Sequence, residues 1–414
     1  MNNSHCNLPT TRREFFKWTG RGLGMIAFSR FAPDFLVQST LAQAPAPETG
    51  RSILVLVQLA GGNDGLNTVV PWEDASYHRL RPNLGLKDSE IIKFASNAAL
   101  HSSCGPLAAM LNEGRLGIVQ NVGYPNPNRS HFRSSEIWET ASDSGEFLST
   151  GWVGRYLDNA CSGTPAGADP QAVHISSEAP QSFLSGHPHN TFGMNPDTRG
   201  SRGGAGDATL LESLAGAGGD DHGNAGFLRQ TLMDALVTEK KVKRTLGSYR
   251  PSATYPGNPF AQSLRNVAGL IAAGLPTRVY FVSLGGFDTH SNQRNNHANL
   301  LAQLAGGLAA FQKDLEAKRL DDQVLTMTFS EFGRRPGENE SGGTDHGTAA
   351  PLFVMGSRVK AGLHGTAPDL NVGRNRDLQF TTDFRSVYAT VLDRWLGCPS
   401  REILGRVFAP VGFV

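Results

Sequence analysis

Between Val279 and Gly356 two apolar segments, VYFVSLGGFDTH and VLTMTFSEFGRR, each run straight into a loop carrying carboxylates and imidazoles, and the second continues into GGTDHGTAAPLFVMG. Apolar runs without polar alternation suit strands buried on both faces, and such strands belong to parallel sheets covered by helices on either side. Open sheets of this kind hold ligands in the crevice beyond the carboxyl ends of their strands. Asp288, His290, Glu331, Asp345 and His346 fall at or near those ends. The pattern predicts an α/β chain with a doubly wound, mostly parallel sheet flanked by helices, built around that cluster.

The rest of the mature chain fits the same frame. Residues 52–59 form another unbroken apolar run, which ends in AGGNDGLN. Asn-Asp-Gly is an ordinary turn in isolation, but Asp64 at the end of a first buried strand stands where a metal ligand is commonly found. A helix is expected over 104–112 and a strand over 116–122, followed by GYPNPNRSHFRSSEIWE. Two prolines hold that loop extended, and Ser130 can open a helix as its N-cap. A hydroxyl beside helix N–H groups, with a cation such as Arg129 nearby, is also placed to act as a nucleophile; Ser134 and Ser135 are the reserve candidates.

From residue 161 to about 257 the texture turns to Gly, Ala, Asp, Ser and Pro, which reads as an insertion or cap segment. Within it a strand is expected over 172–175 and a helix over 225–246, and His187 and His189 read as a surface turn. Beyond it helices (261–273, 297–320) alternate with strands (277–283, 323–329, 351–355). A last helix, 384–396, begins behind Asp383 as its cap.

The N-terminus carries TRREFFK and a short apolar run, the pattern of a twin-arginine export signal, so residues 1–44 read as a signal peptide with the start of a linker. The apolar run is far shorter than the roughly 20 residues that span a bilayer, so no stable membrane span is expected. Export of a folded chain through the twin-arginine machinery implies a periplasmic or otherwise exported location. Three cysteines follow the signal, Cys104, Cys161 and Cys398, without metal-ligand spacing. One disulfide with a spare thiol and three free thiols are both compatible with them. A formal net charge of +1 gives no electrostatic case for nucleic acid or an anionic membrane.

Several carboxylates and imidazoles converging from separate strand ends are what one or two divalent ions need. Such a centre neutralises charge on a phosphoryl or sulfuryl oxygen during displacement. Asp64, Asp288, His290, Glu331, Asp345 and His346 are the candidate ligands, and the ion could be Zn, Mg, Mn or Ca.

LVLVQLAGGNDGLNTVVP, PNRSHFRSSEIWETA, GGFDTHSNQ, FSEFGRR, TDHGTAAPLFVMG and DFRSVYATVLDRWLG, together with the twin-arginine start, resemble the exported bacterial family called domain of unknown function 1501. That family in turn resembles the alkaline phosphatase and sulfatase superfamily, which implies an alkaline phosphatase-like fold over residues 50–414. By the same resemblance Asp64 matches a first-strand metal ligand, Ser130 the nucleophile, and Asp288 a ligand of the other metal. His290 or His297 matches its companion histidine, and His346 the late histidine. Glu331 stands where an Asp-His pair is usual, with Phe332 in place of the histidine and Asp345 as a possible substitute. Arg129, Arg334 and Arg335 are candidates for holding a small anionic ester. Two function classes follow: an exported metal-dependent hydrolase of phosphate or sulfate esters, or an exported binding or structural protein that keeps the fold without catalysis.

Overall fold

The computed structural model describes residues 51–160, 169–195 and 238–414. In chain order the strands are β1 (Ile53–Ala60), β2 (Val69–Val70), β3 (Ile91–Ala95), β4 (Ala98–His101), β5 (Leu116–Gly123), β6 (Ala172–Ile175) and β7 (Thr191–Met194). They continue with β8 (Val279–Gly285), β9 (Val324–Phe329), β10 (Arg334–Glu338), β11 (Thr344–His346), β12 (Ala350–Met355), β13 (Gly362–His364) and β14 (Thr382–Asp383). A nine-stranded sheet runs in the order β13-β5-β12-β9-β1-β8-β6-β7, with β14 also on β5. Within it β12 is antiparallel to both neighbours and the other pairings are parallel. The expected mostly parallel α/β sheet is therefore present.

The unbroken apolar runs have the expected cause. Alternate side chains of β1 feed two cores: Ile53, Val55, Val57 and Leu59 lie in one, Leu54 and Leu56 in the other. The first core is closed by helices Gly105–Asn112, Pro259–Ala272 and Gln293–Ala317, and the second by His131–Thr140, Trp152–Ala160 and Phe384–Thr390. Helices on both faces leave the strand ends as the free edge. Truncating a buried β1 leucine to alanine would cost about 2–5 kcal/mol.

Asp383 caps helix Phe384–Thr390 as expected, its side chain accepting from Arg385 N, and the helix continues as a π-turn over Val391–Leu396; it is not the last, since a short helix Ser400–Leu404 follows. Strands β6 and β7 come from the Gly-rich segment and extend the main sheet beside β8. Of the helix expected over 225–246, residues 238–248 are helical and 225–237 lie outside the described residues. The export signal and Cys161 also lie outside them, while Cys104 and Cys398 are buried free thiols. No helix among the described residues is long and apolar enough to cross a membrane.

Candidate metal centre

Five neighbouring strands, β5, β12, β9, β1 and β8, deliver the candidate residues to one edge of the sheet. Because β12 runs backwards, its N-terminal end meets the C-terminal ends of the others, and Asp345 and His346 arrive beside Glu331, Asp288 and the loop after β5. Gly61, at φ +118°, lets the β1 and β8 loops touch, since a Cβ there would strike the backbone nitrogen of Asp288.

Asp288 is the hub. Its Oδ1 lies 3.1 Å from His290 Nε2, 3.2 Å from His346 Nε2 and 2.7 Å from Arg334 Nη2, and its Oδ2 lies 3.5 Å from His131 Nε2. Partial burial opposes its ionisation, but the hydrogen bonds from Arg334 and His346 outweigh this and hold its pKa at about 2. It is an anion at any physiological pH. Among the described residues His131, Asp288 and His346 form a group whose ligand atoms lie within 4.8 Å of one another. His290 joins this group through Nε2, 2.8 Å from His346 Nε2.

The outer nitrogens of two imidazoles are already committed. His131 Nδ1 lies 2.8 Å from Glu331 Oε1, and His346 Nδ1 lies 2.9 Å from the Arg129 carbonyl oxygen. A carboxylate oxygen and a carbonyl oxygen both accept, so Nδ1 carries the hydrogen in each ring; Nε2 faces Asp288, donating to it while the ring is protonated and offering its lone pair to an ion once the ring is neutral. The Glu331 contact raises the His131 pKa, whereas burial lowers that of His346. Phe332 sits beneath both rings, its centroid 4.9 Å from His131 and 4.6 Å from His346. It supplies no ligand atom; it is a wall that fixes their tilt.

Glu331 is buried and also accepts from Gly61 N at 2.8 Å. It therefore faces the back of His131 and does not appear in the three-residue group. Asp345 sits at the rim, 3.6 Å from His290 Nδ1, with its pKa lowered by the hydrogen bond from Asn339.

Asp64 has a different environment. Both oxygens are taken by Arg81, at 2.6 and 2.9 Å, both side chains are 0% exposed, and Gln293 Nε2 donates to Oδ2. Burial opposes its charge, yet the Arg81 charge and hydrogen bonds keep its pKa below the usual carboxylate range. His297 is likewise buried away from the cluster, on Asn63 Oδ1 at 2.9 Å, with its pKa pushed down to about 4 by burial. Arg334 is spent on Asp288 and on the carbonyls of Gly61, Gly62, Phe287 and Thr344, so it staples the loops.

Ser130 is the N-cap of helix His131–Thr140 and is exposed, but its side chain makes no capping bond. Ser134, one turn into that helix, is instead buried against the preceding loop, 2.6 Å from the Asn128 carbonyl and 2.8 Å from the Tyr124 hydroxyl. His187 and His189 prove to have a carboxylate partner: Asp158 accepts from His187 N at 3.0 Å and meets His189 Nε2 at 2.8 Å.

His131 is not among the residues expected from sequence; the expectation there falls on the serine before it. The signal was available: His131 lies beyond the carboxyl end of a buried strand, as Asp288 does beyond β8.

The family model described as "Protein of unknown function (DUF1501)" matches residues 115–406. Among curated proteins no sequence match was found. Solved structures similar to the chain include a protein in the alkaline phosphatase superfamily from Vibrio parahaemolyticus, at 10% identity and TM-score 0.37, covering 90% of this chain and 76% of the other. The PsFucS1 sulfatase from Pseudoalteromonas sp. matches at 10% identity and TM-score 0.36, covering 90% and 72%. The C-terminal periplasmic domain of EcEptC from Escherichia coli, in complex with Zn, matches at 10% identity and TM-score 0.35, covering 75% of each chain. At such values the functional reading rests on the geometry of the site itself.

Proposed function

The chain belongs to the DUF1501 family, and we propose from its N-terminal export pattern and the geometry of this site that it is an exported metal-dependent hydrolase of phosphate or sulfate esters. The observation that carries the reading is the pair of imidazoles whose Nδ1 atoms are held by Glu331 and the Arg129 carbonyl while both Nε2 atoms meet Asp288. A tetrahedral Zn-type ion with bonds of about 2.0–2.1 Å separates its ligand atoms by about 3.3–3.4 Å. Contacts of 2.8 to 3.5 Å among His131, Asp288, His290 and His346 fit that demand. His131, Asp288 and His346 would hold the ion, with His290 as a fourth donor and Asp345 at the rim. Asp64 and Glu331 serve instead as supports, and one ion is the expected load. A divalent ion held there supplies Lewis-acid stabilisation of charge on the ester oxygens.

The remaining work falls to the chain. Arg334 keeps Asp288 ionised and aimed, Glu331 fixes the tautomer of His131, and Phe332 excludes water from one side of the rings. Ser130, exposed and unspent in capping, is the assigned nucleophile: its Oγ bonds to phosphorus or sulfur as the alcohol departs, and water later releases the acid. Arg129, 44% exposed beside it, faces the substrate from the rim. The binding-protein alternative draws on Phe332, an apolar ring where a further ligand would strengthen the centre.

Metal analysis of the purified chain, with aryl phosphate and aryl sulfate turnover of wild type and of Asp288→Ala, His346→Ala, His131→Ala and Ser130→Ala, decides the matter. About one ion per chain in wild type and its loss in the first three variants is expected, with turnover lost in all four. A metal-free wild type inert toward both esters sinks the hydrolase. Activity retained in Ser130→Ala moves the nucleophile to water.

A further inference from the structure

At the rim of the centre four charged side chains stand in a row without closing on one another. Arg129 Nη1 is 3.5 Å from Asp377 Oδ2, Arg335 Nε is 3.6 Å from Asp377 Oδ1, and Arg335 Nη1 is 3.8 Å from Asp345 Oδ2. These separations exceed a normal N–H···O hydrogen bond. Arg335 Nε and Asp377 Oδ1 are shielded from solvent and neither has a hydrogen-bond partner. Shielded polar atoms left unsatisfied are costly, and these two face each other at 3.6 Å. The Arg81–Asp64 pair, by contrast, closes at 2.6 and 2.9 Å.

We infer that Arg129 and Arg335 form a clamp for a second oxyanion of the substrate, and that the carboxylate of Asp377 is an internal competitor holding the clamp ready. The inference rests on the neighbouring centre being the ester site. The clamp and the centre are distinct places, because the Asp345 carboxylate stands between Arg335 and His290. One ester anion therefore occupies the centre while another acidic group, carboxylate, sulfate or phosphate, displaces Asp377. The substrate class is thus a polyanion carrying an oxyanion beside the scissile ester, selected over simple monoanionic esters.

Calorimetric titration of phosphonoacetate and methylphosphonate, which differ by one carboxylate, into the metal-loaded full chain tests this. Wild type should bind phosphonoacetate about tenfold more tightly than methylphosphonate. Asp377→Asn should tighten phosphonoacetate several-fold and leave methylphosphonate unchanged. Arg335→Ala should bring the two ligands to the same affinity, with metal content and melting temperature held at wild-type values. Weaker phosphonoacetate binding in Asp377→Asn, or equal loss of both ligands in Arg335→Ala, overturns the clamp. This pattern without turnover of any ester would sink the hydrolase and keep the clamp. Turnover with an Arg335→Ala variant that still discriminates would sink the clamp alone.

Discussion

Asp64 and Asp288 follow adjacent, parallel strands of one sheet and have opposite fates. Asp64 is 0% exposed with both oxygens on a guanidinium, while Asp288 is 48% exposed with imidazole nitrogens around it. The first belongs to a dry layer in which Arg81, Gln293 and Arg334 tie the loops together. The second belongs to a wet layer, half exposed, in which nitrogen and oxygen donors converge. Position at a strand end makes a carboxylate available; the partner that reaches it first decides whether it is locked into structure or left open to a ligand.

The largest effect should come from breaking the dry layer. Arg81→Met leaves Asp64 charged and buried, at a cost of about 3–5 kcal/mol in denaturant unfolding. Asp288→Ala should cost under about 1 kcal/mol by the same measurement. A variant of Asp288 as damaging to stability as Arg81→Met would erase the distinction between the layers.

A second buried carboxylate sharpens the point because no cation closes on it. Burial pushes the Glu139 pKa up to about 7, although Ser182 N donates to it at 3.0 Å. A folded-state pKa above the unfolded one means stability is fully present below about 4.5 and is lost as pH rises through about 7. The loss is on the order of 3 kcal/mol at 1.36 kcal/mol per pKa unit. Glu139→Gln should remove that slope and stabilise the chain above pH 7, as read from unfolding at pH 5 and 8. Asp64, whose pKa is lowered, contributes in the opposite sense: its stabilisation is present above the unfolded value and is lost in acid. Arg81→Met should abolish the acid-side loss and leave the Glu139 slope intact.

The smallest effect on stability, and a clear one on the wet layer, belongs to Glu331→Gln. An amide still accepts from Gly61 N but holds the His131 tautomer less firmly. Metal affinity should fall about 10–100-fold by competition with a chelator. An unchanged affinity would show that Glu331 only supports the fold.

The fold was legible because its signal is local. Apolar runs marked β1, β8, β9 and β12, a mixed run LGIVQNV marked β5, and helical spacing marked the elements between them. The short strands β2 to β4 and the β10–β11 hairpin were not anticipated, since two to five residues of mixed character carry little periodicity. Of the site, the edge of the sheet and most of the cluster could be read from position. What could not be read was which acid meets which base. Arg81 on Asp64, His131 on Glu331 and Arg334 on Asp288 are pairings made in three dimensions across the sheet edge. Adjacency in sequence favoured Ser130 over its neighbour His131 for the same reason.

The backward course of β12 has one more consequence. Strands β9 and β12 are antiparallel neighbours, so residues 330–349 leave the sheet and return to it at the same edge with no crossover helix between. Glu331, Phe332, Arg334, Asp345 and His346 all lie on that single excursion. It is therefore a natural unit of inheritance: a lineage could rewrite the chemistry by exchanging this one loop while the strands beneath kept their register.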